Sequence, residues 1–400
     1  MNKKVSIAVL SDLHCHAQNE LPNGTTESYL IAGSPGVPTQ NHPIQALIKL
    51  IKEKGLKADV IVVCGDLANR ASRAGMSYVW DQLRADLQPN LQASIICWTI
   101  GNHDVASREL EGDPFEKAKH IHQDFPFGCE TDNNRYWTDG FCLKRLVGLA
   151  DFLIINTAHD HYNEVKARSG SFNQDKLKKL DEYLTNECSS PFKVAVFHHH
   201  PIIYSSPIPE ANSVLPSGQD LIDVLAKHDF KFIIHGHRHQ PHISRIVAFG
   251  RNIFILCAGS FSARLDAIGT ITRNLFHMVN LEIDDNQEIS GALQSWEYHF
   301  GEGWEATSKK SGRIHHIVNL GPPPDSTSAQ LIADLFEKEP TLRLLQDPEL
   351  IRVSPTIKYM LPDEIDKLTN ELRTKSNLEL KLDENGIPSR IWKSFEEIHG

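Results

Sequence analysis

Short runs of β-branched and other apolar residues recur along the chain, and five of them stop at a polar cluster of Asp, His or Asn. Residues 5–10 (VSIAVL) run into Asp12-Leu13-His14, and 60–64 (VIVVC) into Gly65-Asp66. Residues 95–100 (IICWTI) run into Gly101-Asn102-His103-Asp104. Residues 194–197 (VAVF) run into His198-His199-His200, and 231–235 (KFIIH) into Gly236-His237-Arg238-His239. Runs without apolar/polar alternation predict strands buried on both faces. Between them the apolar spacing turns helical. Residues 44–54 place Ala46, Leu47, Leu50 and Ile51 on one face, and 175–187 align Leu177, Leu180 and Leu184; 77–87, 115–122 and 220–228 are further helices. Strands are also expected at 152–156, 253–257 and 277–283, whereas 125–148 is aromatic and irregular and gives no clear element. This alternation predicts an α/β sandwich of two sheets covered by helices. In such folds the carboxyl ends of the strands carry the chemistry, so the five clusters converge on one edge.

Two stretches interrupt the pattern. Residues 15–43 hold Pro22, Gly24, Gly33, Pro35, Gly36 and Pro38, too many turn formers for a helix or central strand. This insertion leaves from the active edge and reads as a rim or lid, or as a tolerated surface insertion. Residues 301–312 (GEGWEATSKKSG) look like a linker, and Pro322, Pro323 and Pro324 mark a second break. The chain therefore divides into a catalytic domain, 1–300, and a C-terminal module, 322–400. The module has helices at 328–336 and 362–374, a strand at 378–382 and no ligand-like cluster.

Composition narrows the function classes. Over 400 residues the formal charge is −10, which weighs against nonspecific binding to duplex phosphates. Lys176, Lys178 and Lys179 read as a solvated helix face rather than a basic groove. The seven cysteines form no CxxC pair, and Cys64, Cys97 and Cys257 sit in apolar runs, so a reducing, cytoplasmic setting is expected. Cys15 adjoins the first cluster and reads as packed. Asp12 cuts the first apolar run too early for a signal peptide, and no run is long enough to span a membrane.

The clusters have the chemistry of a dinuclear metal site. Two cations held ~3.5–4 Å apart need a bridging anion, and Asp66, a carboxylate after a glycine at a strand end, is the natural one. Asp12 with His14, and His237 with His239, stand at alternate positions, so their side chains converge only if the backbone turns there. Asn102 offers a neutral amide oxygen. A His/Asp set without thiolate suits Mn, Fe, Zn or Ni better than an all-oxygen Mg site.

In order and type the five blocks resemble the calcineurin-like metallophosphoesterase superfamily: DLH at 12–14, GDLANR at 65–70, GNHD at 101–104, HHHP at 198–201 and GHRH at 236–239. The likeness spans residues 1–283, and the spacing is similar to the branch of class III cyclic nucleotide phosphodiesterases. The departures are the 15–43 insertion, a longer stretch between Asn102 and His198, and the C-terminal tail. The resemblance implies a four-layer α/β/β/α sandwich with a small C-terminal α/β appendage. It also implies two divalent metal ions, manganese first. One would be bound by Asp12, His14 and His239, the other by Asn102, His198 and His237, with Asp66 shared. Aligning the histidine triplet on HHxP chooses His198, and aligning it on HxP chooses His199. His103 would be the general acid or would position phosphate, and Arg70 would bind phosphate.

The expected function is metal-dependent phosphoesterase activity on a phosphodiester, most simply a nucleotide, through attack by a metal-activated hydroxide. A nuclease would need basic and stacking side chains, for which Trp80, Trp98 and Trp137 are the available indoles. The third reading is a regulatory protein on this scaffold, with the C-terminal module serving self-association or partner docking. His159 and His161 read as loop histidines at the cleft edge, and His120, His122, His315 and His316 as solvated.

Overall fold

The computed structural model describes residues 3–20, 27–33, 37–107, 112–163, 166–203, 213–266, 272–308 and 314–394. Residues 21–26 and 34–36 of the insertion, and 309–312 of the second interruption, lie outside the described residues.

Two sheets carry the ligand clusters. In the first, Lys3–Leu10 pairs in parallel with Val60–Val63, which pairs in parallel with Ile95–Trp98. On its other side Lys3–Leu10 pairs antiparallel with Leu275–Ile283, followed by Ile289–His299 and Gly303–Ala306. In the second sheet Ala150–Ile155, Phe192–Val196, Phe232–His235 and Arg251–Cys257 run parallel in that order. Phe141–Leu146 and His242–Ala248 close its two edges antiparallel.

The sheets face each other across one core, in which Ile7, Val9, Val60 and Val62 meet Phe152, Ile154, Val194 and Ile234. The alternate residues of the first sheet, among them Ala8, Leu10, Ile61 and Val63, pack under the helices Pro43–Lys54 and Arg73–Gln82. Those of the second, Leu153, Ile155, Ala195 and Ile233, pack under Gln174–Glu187 and Gly218–Lys227. The layers are thus helices, sheet, sheet, helices. Burial on both faces explains why the strand sequences do not alternate.

Several expectations need correction. Residues 125–148 contain the helix Glu130–Asp139 and the edge strand Phe141–Leu146. The first sheet does not end near residue 300: Gly303–Ala306 and Ile317–Leu320 both pair with Ile289–His299. Gly303–Ala306 of the apparent linker is a hairpin arm, in which Trp304 is buried, with its indole Nε1–H donating to the Pro43 carbonyl at 2.8 Å and its ring 5.1 Å from Phe261. Lys176 is not solvated; its stem is buried and Nζ donates to the Thr138 carbonyl at 3.2 Å. His161 is fully buried, and Nε2 meets the Ser169 carbonyl at 3.0 Å. His122 stacks on Trp80, and His316 Nδ1 meets the Ser295 carbonyl at 2.8 Å.

The C-terminal residues have a core of their own, with Ile332, Phe336, Leu345, Leu368, Leu372 and Ile391 between two helices and a three-stranded sheet. They are also seated on the larger part. Leu361 enters the inter-sheet core. Arg245 Nη2 donates to the Tyr359 carbonyl at 2.9 Å, and His242 Nε2 lies 3.2 Å from Asp363 Oδ2. Among the described residues no helix is long and apolar enough to cross a membrane.

Candidate metal centre

All five clusters leave the carboxyl ends of parallel strands. Leu10, Val63 and Trp98 stand in register across the first sheet, so Asp12, Asp66 and Asn102 emerge side by side. His198 and His237 follow adjacent parallel strands of the second sheet. The turn required to converge alternate residues takes a specific form. Asp12, His14, Asp66, His237 and His239 all have left-handed backbone, with φ of 53°, 51°, 50°, 86° and 54°. This region costs a non-glycine residue about 1–2 kcal/mol. Strain concentrated at the candidate ligands is the mark of a site over-determined by its surroundings. Glycines make room for it: a Cβ at Gly101 would strike Asp66 Oδ1, and one at Gly236 would strike Asp12 Oδ2.

The donor atoms fall into two groups that share one carboxylate. In the first, His14 Nε2 and His239 Nε2 face each other at 2.9 Å. Asp12 Oδ1 lies 3.3 Å from His239 Nε2 and 3.8 Å from His14 Nε2. In the second, Asn102 Oδ1 lies 3.1 Å from His198 Nε2 and 2.9 Å from His237 Nδ1. Asp66 Oδ2 stands between them, 3.6 Å from His14 Nε2 and 3.3 Å from His198 Nε2. Of the two candidates in the triplet, His198 is the one turned to these oxygens. His199 Nδ1 lies 2.8 Å from Thr157 Oγ1, and its ring packs against those of His161 and His237, with centroids at 4.9 and 4.5 Å.

Neighbouring groups hold these atoms in place. His198 Nδ1 donates to the Cys64 carbonyl at 2.8 Å, which directs Nε2 into the site. His237 N–H donates to both oxygens of Asp12 at 3.1 Å. Asp104 accepts from Ala68 N–H and Gly101 N–H, both at 2.9 Å, and so ties the loop of Asp66 to that of Asn102. The spelling GNHD contained Asp104, but its bracing role depends on contacts across 36 residues of sequence.

His103 sits at the mouth of the first group, with its ring 4.7 Å from that of His14. Its backbone N–H donates to Asp66 Oδ1 at 2.7 Å. Its Nδ1 meets Asn69 Oδ1 at 3.0 Å, and Asn69 Nδ2 donates to Glu27 Oε2 at 2.7 Å. A carboxylate only accepts, so Asn69 turns its amide N–H to Glu27 and its oxygen to His103. Nδ1 of His103 therefore carries a proton, which fixes the orientation of the ring. Arg70 Nη2 donates to Glu27 Oε1 at 2.8 Å. Asn69 was spelled in GDLANR without a role, and Glu27 went unrecognised because it lies in the insertion, outside every cluster.

The electrostatics show charge waiting to be balanced. Burial disfavours ionising Asp12, but hydrogen bonds with His14 and His239 outweigh it and hold the carboxyl well below its usual range. Burial likewise disfavours a charged His198, yet the Asp66 carboxylate raises its pKa to about 9. Burial and the charge of His198 push His237 down to about 3. Asp104 is pushed up to about 7, by burial and then by Asp66. The buried carboxylates of Asp12 and Asp66 thus favour protons on His14 and His198. Divalent cations would take the place of those protons, as metal binding at histidine sites does. Seven convergent N and O donors, Nδ1–H of His198 tied to a carbonyl, and a shared carboxylate fit two such ions. A further group, His200, His235 and Cys257, brings its donor atoms within 4.8 Å of one another beside this site.

A curated protein of Xenorhabdus bovienii, named "Probable cyclic nucleotide phosphodiesterase", is 25% identical over 187 residues, 46% of this chain. The match spans 62% of that relative's length. Among solved structures, a dimetal phosphatase from Danio rerio aligns over 79% of this chain and 98% of its own, with 13% identity and a TM-score of 0.47. The phosphopantetheinyl hydrolase of Mycobacterium tuberculosis aligns over 64% of this chain and 89% of its own, with 13% identity and a TM-score of 0.36. The family model for calcineurin-like phosphoesterases matches residues 5–241, a span that contains all five clusters, and the chain belongs to that family.

Proposed function

We propose that the protein is a dinuclear-metal-dependent phosphoesterase that hydrolyses a phosphodiester, with a nucleotide-type substrate. The observation that carries this reading is the position of Asp66 Oδ2, 3.6 Å from His14 Nε2 and 3.3 Å from His198 Nε2, where one carboxylate serves two donor groups. Asp12, His14 and His239 would hold one ion and Asn102, His198 and His237 the other, with Asp66 shared; manganese is the first candidate, then Fe, Zn and Ni. Two such ions supply Lewis acidity and activate water near neutral pH. The chain's own residues do the rest. His103, with Nδ1–H donated to Asn69, would act as the imidazolium, giving its Nε2 proton to the departing alkoxide and becoming the neutral Nδ1–H imidazole. Arg70 directs its guanidinium to the phosphoryl oxygens. The name of the Xenorhabdus bovienii relative supports a diester of nucleotide type. Of the three indoles a nuclease could use, Trp80 and Trp98 are buried in the core and unable to stack on bases, which leaves only the partly buried Trp137.

The test is turnover by protein loaded in turn with Mn, Fe, Zn and Ni, on cyclic nucleotides, linear dinucleotides, single-stranded nucleic acid and phosphomonoesters. Metal-dependent hydrolysis of a nucleotide diester is the expected result. Hydrolysis of monoesters alone would overturn the diester assignment, and no hydrolysis of any ester would overturn the reading as a whole.

We also place the working division of the chain near residue 322, with the C-terminal module serving self-association or docking of a partner. Every proposed ligand lies before it. Removal of 322–400 is expected to leave a metal-loaded core. It would, however, empty the slot of Leu361 and strip Arg245, whose side chain is 3% exposed, of the Tyr359 carbonyl and of Glu364. The apparent melting temperature of the truncated protein should fall by roughly 5–10 °C, the scale of a few kcal/mol in a domain of this size. Melting curves with metal analysis decide it: loss of metal loading would make the tail an integral part of the catalytic fold.

A further inference from the structure

We infer that Glu27, contributed by the 15–43 insertion, sets the charge of substrate the site accepts, favouring a monoanionic phosphodiester over a dianionic phosphomonoester. This rests on the phosphoesterase reading and on Arg70 as the phosphate-binding side chain. The two oxygens of Glu27 are both engaged at the site: Oε1 accepts from Arg70 Nη2 at 2.8 Å and Oε2 from Asn69 Nδ2 at 2.7 Å. Asn69 in turn meets His103 at 3.0 Å, so one amide separates the carboxylate from the residue proposed to protonate the leaving group.

The insertion holds Glu27 there by backbone contacts. The Glu27 carbonyl accepts from Arg264 N–H at 2.8 Å, and Tyr29 N–H donates to the Ser262 carbonyl at 2.8 Å. Ser28 Oγ donates to the carbonyl of Leu13, the residue between Asp12 and His14, at 2.8 Å. The root of Arg70 is equally fixed, with left-handed backbone at φ 51° and the next N–H, of Ala71, donating to the His103 carbonyl at 2.7 Å. These ties fix the backbone at both residues, so the two side chains start from set positions within reach of each other.

The consequence is one of charge. Alone, Arg70 would offer a full positive charge to any phosphoryl group. Paired with Glu27 it still offers guanidinium N–H donors, but the pair as a unit is neutral. A diester carries a single negative charge, and the pair can serve it by hydrogen bonding. The second negative charge of a monoester gains nothing from a neutral pair and lies near the Glu27 carboxylate. Side-chain exposures of 53% for Arg70 and 33% for Glu27 limit the effect through solvent and salt screening. At this depth one extra charge is worth about a factor of ten.

The experiment compares wild type, Glu27→Gln and Glu27→Asp, each metal-loaded and checked by melting. One readout is the ratio of kcat/KM for bis(p-nitrophenyl) phosphate to that for p-nitrophenyl phosphate at alkaline pH. The other needs no turnover: the ratio of affinities, by calorimetry, for monomethyl phenylphosphonate (a monoanion) and phenylphosphonate (a dianion). Glu27→Gln is expected to lower both ratios about tenfold, less so at high salt, while Glu27→Asp, which keeps the charge, stays near wild type. Simple loosening of the insertion would depress both substrates together and leave the ratios in place. Unmoved ratios in Glu27→Gln, or an equal shift in Glu27→Asp, would overturn the inference. A shifted affinity ratio in a protein that hydrolyses neither ester would instead count against the phosphoesterase reading and uphold the role of Glu27.

Discussion

Asp66→Asn is expected to lower turnover by about three orders of magnitude and to reduce bound metal from two equivalents towards one. Loss of a bridging anion leaves two cations facing each other without the charge that screens them, and a deficit of about 4 kcal/mol in the transition state corresponds to a thousandfold in rate. The geometry makes the substitution worse than a loss of charge alone. Asp66 Oδ1 accepts from His103 N–H at 2.7 Å, and Oδ2 faces His14 and His198. An amide in that place must turn its N–H group towards one of these donors. Asp66 is 1% exposed, so no water relieves the conflict. Metal analysis and steady-state rates on the same samples check the prediction; full occupancy with full activity would remove Asp66 from the bridge.

His103→Ala is expected to slow hydrolysis by roughly 10²–10⁴-fold, the range for a positioned acid or base, while metal content stays close to that of wild type. The contact of His103 with Asp66 is made by its backbone N–H, which alanine keeps. What alanine removes is the imidazole that Asn69 orients. An aryl leaving group, stable as its anion, should lose far less than an alkoxide. Rates for a series of diesters of graded leaving-group basicity separate the two roles assigned to this residue. A steeper dependence in the variant supports proton donation, and an equal loss across the series supports phosphate positioning.

The clusters were legible as a candidate metal site because residue types alone carry much of the information. Asp, His and Asn after buried runs say where donors emerge, and five parallel strand ends bring them to one edge. What the residue types did not carry was the backbone conformation that aims them. The alternate spacing in DLH and GHRH called for a turn but not for φ near 50° at Asp12, His14 and His239; around Asp12 that backbone is accompanied by Ser260 Oγ donating to its carbonyl and by Gly236 leaving room for its carboxylate. Glu27 and Asn69 were silent for a related reason: they act through each other, across 42 residues of chain. The first sheet was under-read where its strands are polar on one face. In Ile289–His299 the buried positions are interrupted by Gly291, Gln294 and partly exposed neighbours. In 301–306 two glycines in left-handed backbone mask a hairpin turn whose anchor is Trp304. Lys176 was misread as solvated because a long stem can carry its ammonium to a distant carbonyl from within a core.

On the proposed function, two metal ions would share Asp66 between the two donor groups. A crystal of manganese-loaded protein examined by anomalous scattering tests this directly. Two peaks are expected, one bonded to Asp12, His14 and His239, the other to Asn102, His198 and His237, with Asp66 bonded to both. A single peak, or metal seated on His200, His235 and Cys257 while Asp66 remains uncoordinated, would contradict it.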